Sequence, residues 1–376
     1  MHTVHPSIII GSYGWDEDRL PRDEFQLRRA ELDGVMDARG WKAMLIFGDA
    51  AEHRALAYYT NFVPRLRWGM ALIPREGEPL LLCSMSSRDM PAMRLMTWIP
   101  DVRSGWEWQR NFDPWLARFG AEGSVDIGTI GLDVMTLALF GQLERSLGNR
   151  FRLHDADFVL PDDRALRPRE VSLLRQSCVL ASGAAAAMAE AWRAGQGNEQ
   201  AALAAERKAR LAAAQDVRTL ISPDGGRTLV PFSGALGRRT DPFLGYIVVK
   251  SMGFWAELFV SASGRPRASL DHAKAGLDAA LAAMRPGAVA SAIHAKAAAA
   301  LAPLALHPVL SSSVGRRIGL SLDEGGALRQ DGTAALKAGN VYALHVGGVD
   351  AAGGAIVSAM VAMTPGGPEI LCRSSW

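Results

Sequence analysis

The sequence predicts a two-domain chain of the α/β (α+β) class, and three observations carry that expectation. In roughly the first 160 residues, short near-continuous apolar runs alternate with stretches of helical period. Pro161, Asp162, Asp163 and Pro168 then interrupt the chain between 155 and 168. Beyond them, two Ala-rich helices and an apolar strand follow one another twice. Domains spanning 1–160 and 161–376 are expected, and 376 residues suffice to bury two cores.

Residues 1–25 are irregular and polar, with Pro6, Gly11, Gly14 and Pro21, and read as an arm that packs on a neighbour. A helix is expected over Glu24–Arg39, stopped by Gly40. Ala43–Phe47, Gly69–Pro74 and Leu80–Cys83 read as strands buried on both faces, with a turn at Arg75-Glu76-Gly77-Glu78 between the last two. Ile130–Asp133 reads as a further strand entering a helix over Met135–Leu147. Pro168 suits the first turn of a helix. Val171, Leu174, Cys178, Ala181, Ala185, Met188 and Trp192 recur at alternating three and four, which puts them on one core-facing stripe. The internal repeat pairs Ala191-Trp192-Arg193-Ala194-Gly195 with Ala283-Met284-Arg285-Pro286-Gly287. Its strands are Tyr246–Val249 and Val341–Leu344.

Composition narrows the function classes. Hydrophobic residues make up 49% and charged residues 21% of the chain, an ordinary globular balance. The net charge of +2, from 41 basic and 39 acidic side chains, gives no basic stripe of the kind that binds nucleic acid. Cys83, Cys178 and Cys372 are odd in number and far apart, so neither a disulfide framework nor a zinc knuckle is expected. No run of about 18 apolar residues indicates a membrane span. Cytoplasm is the default location.

Four landmarks occur together in the second half. Arg167-Pro168-Arg169-Glu170-Val171 is followed by Leu174-Arg175, and Arg193-Ala194-Gly195 by Glu199. Gly253-Phe254-Trp255-Ala256-Glu257 comes next, and then Gly315-Arg316-Arg317-Ile318-Gly319-Leu320-Ser321-Leu322-Asp323-Glu324. In type, order and spacing they resemble the creatinase/prolidase/aminopeptidase P family. The resemblance implies a creatinase-like N-terminal α/β domain and a C-terminal "pita-bread" domain with pseudo-twofold symmetry and a central active site. It also implies a homodimer in which the N-terminal domain of one subunit walls the neighbour's cavity. Trp106 and Trp108, from the Trp-rich stretch 98–115, are the candidates for that wall.

Active family members bind two metal ions through two Asp, one His and two Glu, and the resemblance maps these positions onto other residues here. The first Asp falls in 246–252, where Lys250 and Ser251 are the nearest candidates; the second becomes Glu257. The His becomes Arg316, the first Glu His345 and the last Glu Ser358. A second, substrate-directed His becomes Asp323, and the loop that carries another His holds Arg238 and Arg239 instead. No metal or other cofactor is therefore expected. Bare carboxylates left behind by lost metals would repel one another, whereas Glu257, Arg316 and His345 are balanced in charge. Drift in an inert scaffold explains Tyr246 and Ser358 better than it explains this trio.

His345 is the candidate proton carrier, because His titrates near neutrality; the plain alternative is a buried histidine satisfied by the chain. Glu257 either orients it or acts as base, the alternative being an ion pair with Arg316. Arg316, with Arg238 or Arg239, offers planar forks for an anionic group of the ligand. Ser358 is a further candidate contact. Arg317 reads as a surface salt bridge, and Asp323 as either a catalytic acid or a turn residue. The leading expectation is a metal-independent enzyme that cleaves a C–N bond, or eliminates, in a small amino-acid-like or amidino substrate. A non-catalytic peptide- or protein-binding relative is the alternative, and a metalloaminopeptidase with unusual ligands the third.

Overall fold

The computed structural model describes residues 14–64, 66–120 and 123–374. The chain divides into two compact units at Pro161/Asp162. Most of the expected N-terminal arm lies outside the described residues.

The first unit is a six-stranded mixed sheet with helices α1 (Arg22–Arg39), α2 (Arg54–Thr60), α3 (Met90–Met93), α4 (Trp108–Ala117) and α5 (Leu137–Leu147). Its strands are β1 (Ala43–Asp49), β2 (Trp68–Pro74), β3 (Leu80–Cys83), β4 (Asp101–Ser104), β5 (Val125–Ile130) and β6 (Phe151–Asp155), in the order β4-β3-β2-β1-β5-β6. The three strands expected from apolar runs are β1, β2 and β3, which are buried almost throughout. Edge strands β4 and β6 are half exposed and polar, so no apolar run announces them. The expected strand Ile130–Asp133 is corrected: β5 ends at Ile130, and Gly131 turns left-handed at φ 76°. A Cβ there would sit 2.6 Å from the Phe47 carbonyl oxygen, so a side chain has no room. Thr136 then caps α5, its hydroxyl accepting from the Leu139 amide at 3.4 Å.

The second unit repeats one plan. Helices α6 (Pro168–Arg193) and α7 (Asn198–Leu211) precede strands β7 (Asp216–Ile221), β8 (Phe243–Ser251) and β9 (Phe254–Ala262), an antiparallel sheet. Helices α8 (Ala268–Ala283) and α9 (Ala290–Leu301) precede β10 (Gly315–Arg317), β11 (Val341–Asp350), β12 (Gly353–Thr364) and β13 (Gly367–Arg373), a second antiparallel sheet. The matched turns of the sequence repeat both close on a left-handed glycine, Gly195 at φ 89° and Gly287 at φ 83°. The stripe on α6 is buried from Leu174 to Trp192 and half-buried at Val171. α6 has the length and apolar content of a membrane span, but its apolar stripe packs on β8 and β9.

The two sheets meet where β9 lies against β12. The Ser358 hydroxyl accepts from the Phe259 amide at 2.8 Å, and the Ser261 hydroxyl donates to the Ile356 carbonyl at 2.8 Å. Small residues keep the helices close to the sheets: a Cβ on Gly276 of α8 would lie 2.6 Å from Val346 Cγ1 of β11. The three cysteines are free and buried. Cys178 on α6 and Cys372 on β13, distant in sequence, are neighbours in the fold.

Candidate active site

Two hairpin-like pairings aim four polar side chains at one place. Met252 (φ 49°) and Gly253 (φ 86°) form the two-residue turn between β8 and β9, and two left-handed residues are what such a tight turn needs. That turn fixes the register, with Val248 opposite Glu257 and Tyr246 opposite Phe259. Tyr246 and Glu257 are thus diagonal neighbours on one face. In the other sheet Arg316 of β10 lies opposite Ala343 of β11, which makes Arg316 and His345 diagonal neighbours in the same way.

All four line a cavity of about 600 Å³, whose wall is otherwise largely apolar, with Leu220, Leu229, Phe259 and Leu310 among its residues. Glu257 is the hub. Its Oε2 accepts from Arg316 Nη2 at 2.6 Å and from the Tyr246 hydroxyl at 2.5 Å. Its Oε1 faces His345 Nδ1 at 3.7 Å, within ion-pair range but beyond a hydrogen bond. Both of these facing atoms are buried and have no hydrogen-bond partner among the described residues. The His345 ring also meets Phe259 edge-on at 5.9 Å.

Burial alone would raise the Glu257 carboxyl. Its neighbours His345, Arg316 and Tyr246 outweigh that and hold it below the ordinary glutamate range, hence ionised. For Arg316 burial pulls the other way, and the Glu257 charge overcomes it and holds the guanidinium protonated. Burial, then the Glu257 charge, pushes the Tyr246 phenol well up, so it is a neutral donor.

The structure brings Glu257, Arg316 and His345 together; it places the other sequence candidates differently. Asp323 is at the cavity mouth, about two-thirds exposed, 4.0 Å from Arg316 Nε, and accepts from the Gly325 amide at 2.8 Å. It is a turn residue beside Arg316 rather than a buried acid. Ser358 is not in the wall: its hydroxyl is used by the Phe259 amide and by Ser374 Oγ at 2.9 Å. Arg238 and Arg239 do not line the cavity either, and the Arg239 guanidinium stacks on Trp192 at 4.1 Å. Lys250 is buried beside Trp255, so Tyr246 is the residue of the 246–252 segment that faces the cavity.

Arg317 forms no surface salt bridge. It is buried and donates to the Glu324 carbonyl at 2.8 Å, stacked where a Cβ on Gly326 would fall. In the first unit Trp108 is a core residue, packed on Phe112 with its indole donating to Ser146 Oγ at 2.9 Å, which corrects its expected place in a ligand wall. Trp106 is half exposed and donates to Ser84 Oγ at 3.3 Å.

Sequence reasoning missed three features of the cavity. Tyr246, surrounded by apolar neighbours, reads as core and is a ligand of Glu257. Arg329 lines the cavity, exposed, with no side-chain partner among the described residues; its backbone bridges to Ser313, another lining residue. Ser311, a residue of the cavity wall, and Ser312 next to it in sequence are consecutive left-handed non-glycine residues, at φ 48° and 62°.

Two dications need several anionic or neutral donors. The donor set here does not fit such a centre. Among the described residues no three His, Cys, Asp or Glu are grouped to hold a metal ion. The one buried carboxylate in the cavity is already capped by a guanidinium, a cation fixed where a metal ion would need a lone pair.

A model of the creatinase/prolidase N-terminal domain matches residues 28–166, and a model of metallopeptidase family M24 matches residues 241–365. The chain belongs to the creatinase/prolidase family. Its C-terminal unit is therefore the family's M24, or pita-bread, domain. Solved structures agree in fold. A prolidase from Pyrococcus horikoshii OT3 is 16% identical with a TM-score of 0.73, over 93% of this chain and 99% of that one. An X-Pro aminopeptidase from Thermotoga maritima MSB8 is 19% identical with a TM-score of 0.74, over 92% and 97%. The N-terminal domain of FACT complex subunit SPT16 from Cicer arietinum is 13% identical with a TM-score of 0.60, over 93% and 96%. No curated protein sequence gives a significant match. Within its family, this member carries an acid, a guanidinium, a phenol and an imidazole around its central cavity.

Proposed function

We propose that the chain is a metal-independent enzyme that cleaves a C–N bond, or eliminates, in a small amino-acid-like or amidino substrate, with His345 as proton carrier. The observation behind this reading is the facing pair of buried, unpartnered atoms, His345 Nδ1 and Glu257 Oε1, in the cavity wall. Glu257, held ionised and pinned through its other oxygen, faces the Nδ1 edge of the His345 ring. Nε2 is then left for the reaction. In hydrolysis it takes a proton from water as the water oxygen bonds to carbon, and returns it to the departing nitrogen as the C–N bond breaks.

Arg329, rather than Arg316, is the proposed holder of an anionic group of the substrate. Arg316 is committed to Glu257 and to the Leu322 carbonyl at 3.2 Å. Arg329 retains a fork with no partner among the described residues at the cavity, where Ser311 is a further lining residue; the Ser313 hydroxyl is spent on the Gly315 carbonyl at 2.7 Å. The apolar wall suits a small hydrophobic moiety.

A binding role without catalysis is the second reading, favoured by the fold shared with a domain named as part of a complex subunit. A single experiment separates the two. Small amide, dipeptide and amidino compounds are incubated with the protein in excess chelator, and release of amine is followed. Turnover that survives chelation and falls about 10²–10⁴-fold in His345→Ala supports the enzyme. Turnover that needs added metal, or that is the same in His345→Ala, contradicts it. Saturable ligand binding without turnover favours the binding role.

A further inference from the structure

A second concave site lies outside the central cavity and shares no residue with its lining. It is a groove of about 390 Å³ formed by Arg193 at the end of α6, the loop 262–267 after β9, and the first turns of α8. Four cations line it, Arg193, Arg265, Arg267 and Lys274, against one acid, Asp271.

The loop is tethered to a second acid, Asp241, which is outside the lining. Asp241 accepts from the Ser263 hydroxyl at 2.6 Å, the Gly264 amide at 3.2 Å and Arg267 Nη2 at 3.4 Å. Arg267 Nε also donates to Ser263 Oγ at 3.1 Å, so its guanidinium is largely spent on the loop itself. Lys274 stands 4.0 Å from Asp271. Arg193 and Arg265 are different: both are exposed, and neither guanidinium has a partner among the described residues. Two unpaired forks, delivered by separate elements to one groove, exceed what a single planar carboxylate satisfies. A tetrahedral dianion has oxygens for both.

We propose that this groove binds a phosphate group, free or as the monoester of a small molecule, with Arg193 and Arg265 as its ligands. The proposal is independent of the chemistry assigned to the central cavity. Phosphorus-31 resonance titrations of the full chain with inorganic phosphate, and separately with phenyl phosphate, test it. Saturable binding should weaken roughly tenfold or more in Arg193→Ala and in Arg265→Ala. It should be only partly restored by Arg265→Lys, which keeps the charge and loses the fork. Asp271→Asn should tighten binding roughly two- to fivefold by removing the groove's acid. Tighter binding of phenyl phosphate than of phosphate identifies a monoester as the ligand, and the reverse identifies the free ion. His345→Ala should leave both titrations unchanged. Phosphate binding that is non-saturable, that survives in the Arg193→Ala/Arg265→Ala double variant, or that disappears in His345→Ala overturns the proposal.

Discussion

In the first half of the pita-bread domain, α6, α7 and β7–β9 supply Tyr246 and Glu257; in the second, α8, α9 and β10–β13 supply Arg316 and His345. Each half presents two side chains as diagonal neighbours across one antiparallel pair, so the backbone does the same thing twice. The chemistry differs. One half contributes an anion and a neutral donor, the other a fixed cation and a titratable ring. Neither half balances its own charge when buried. Burying Glu257 alone would cost several kcal/mol, and the cost is offset because His345 and Arg316 reach it from the other sheet and Tyr246 from its own. The repeated architecture brings the groups together, and the divergence between the halves gives the site its mixed charge.

That comparison can be broken at four points. The largest effect expected is on chemistry: His345→Ala should lower turnover about 10²–10⁴-fold with little change in substrate affinity, read as kcat falling while KM holds. The next is on stability. Arg316→Ala leaves Glu257 buried without its cation and should cost about 3–5 kcal/mol in denaturant unfolding. The double variant Glu257→Leu/Arg316→Met should recover most of that loss, because the two halves then bury matching apolar groups. A cost equal to the sum of the two single variants would show that the halves are not coupled through this pair.

Ser358→Ala tests the join between the sheets without touching the charges. It removes the acceptor of the buried Phe259 amide and should cost about 1–3 kcal/mol, with turnover unchanged. The smallest effect is in pH. The Glu257 carboxyl is depressed in the fold, so its stabilising contribution is complete above the ordinary value near 4.5 and is lost as pH falls through the folded value. The difference in thermal midpoint between the parent and Glu257→Gln should therefore hold from neutrality to about pH 4.5 and shrink below it. A difference that grows on acidification would contradict the assignment of Glu257 as the ionised hub.

Much of the fold was legible because buried strands advertise themselves. Ala43–Phe47, Gly69–Pro74 and Leu80–Cys83 are apolar on both faces, and the two Ala-rich helix pairs close on glycines at matched positions. Strands β4 and β6 were not legible, since an edge strand needs no apolar run. At the site, Glu257, Arg316 and His345 stood out as ionisable residues at motif positions. Their contact could not be read from spacing, since Glu257 and Arg316 are 59 residues apart and on different sheets. Tyr246 was hidden because a tyrosine amid apolar neighbours reads as core until its hydroxyl is seen on a carboxylate. Trp108 erred the other way: a tryptophan-rich stretch suggested a ligand wall, and its ring proved to be needed in the first unit's own core. Arg317 and Asp323 share one motif with Arg316, yet the turn around Gly325 and Gly326 sends the three side chains to a core, a mouth and a cavity.

The central claim is that a guanidinium–carboxylate–imidazole cluster stands where the family's metal centre lies. Equilibrium dialysis of the purified chain against Mn²⁺ and Zn²⁺, followed by elemental analysis, tests it most directly. The account predicts well under about 0.1 metal ion per chain after exchange into metal-free buffer, both in the parent and in His345→Ala. One or two ions per chain, retained by the parent and lost in Glu257→Ala or His345→Ala, would contradict it.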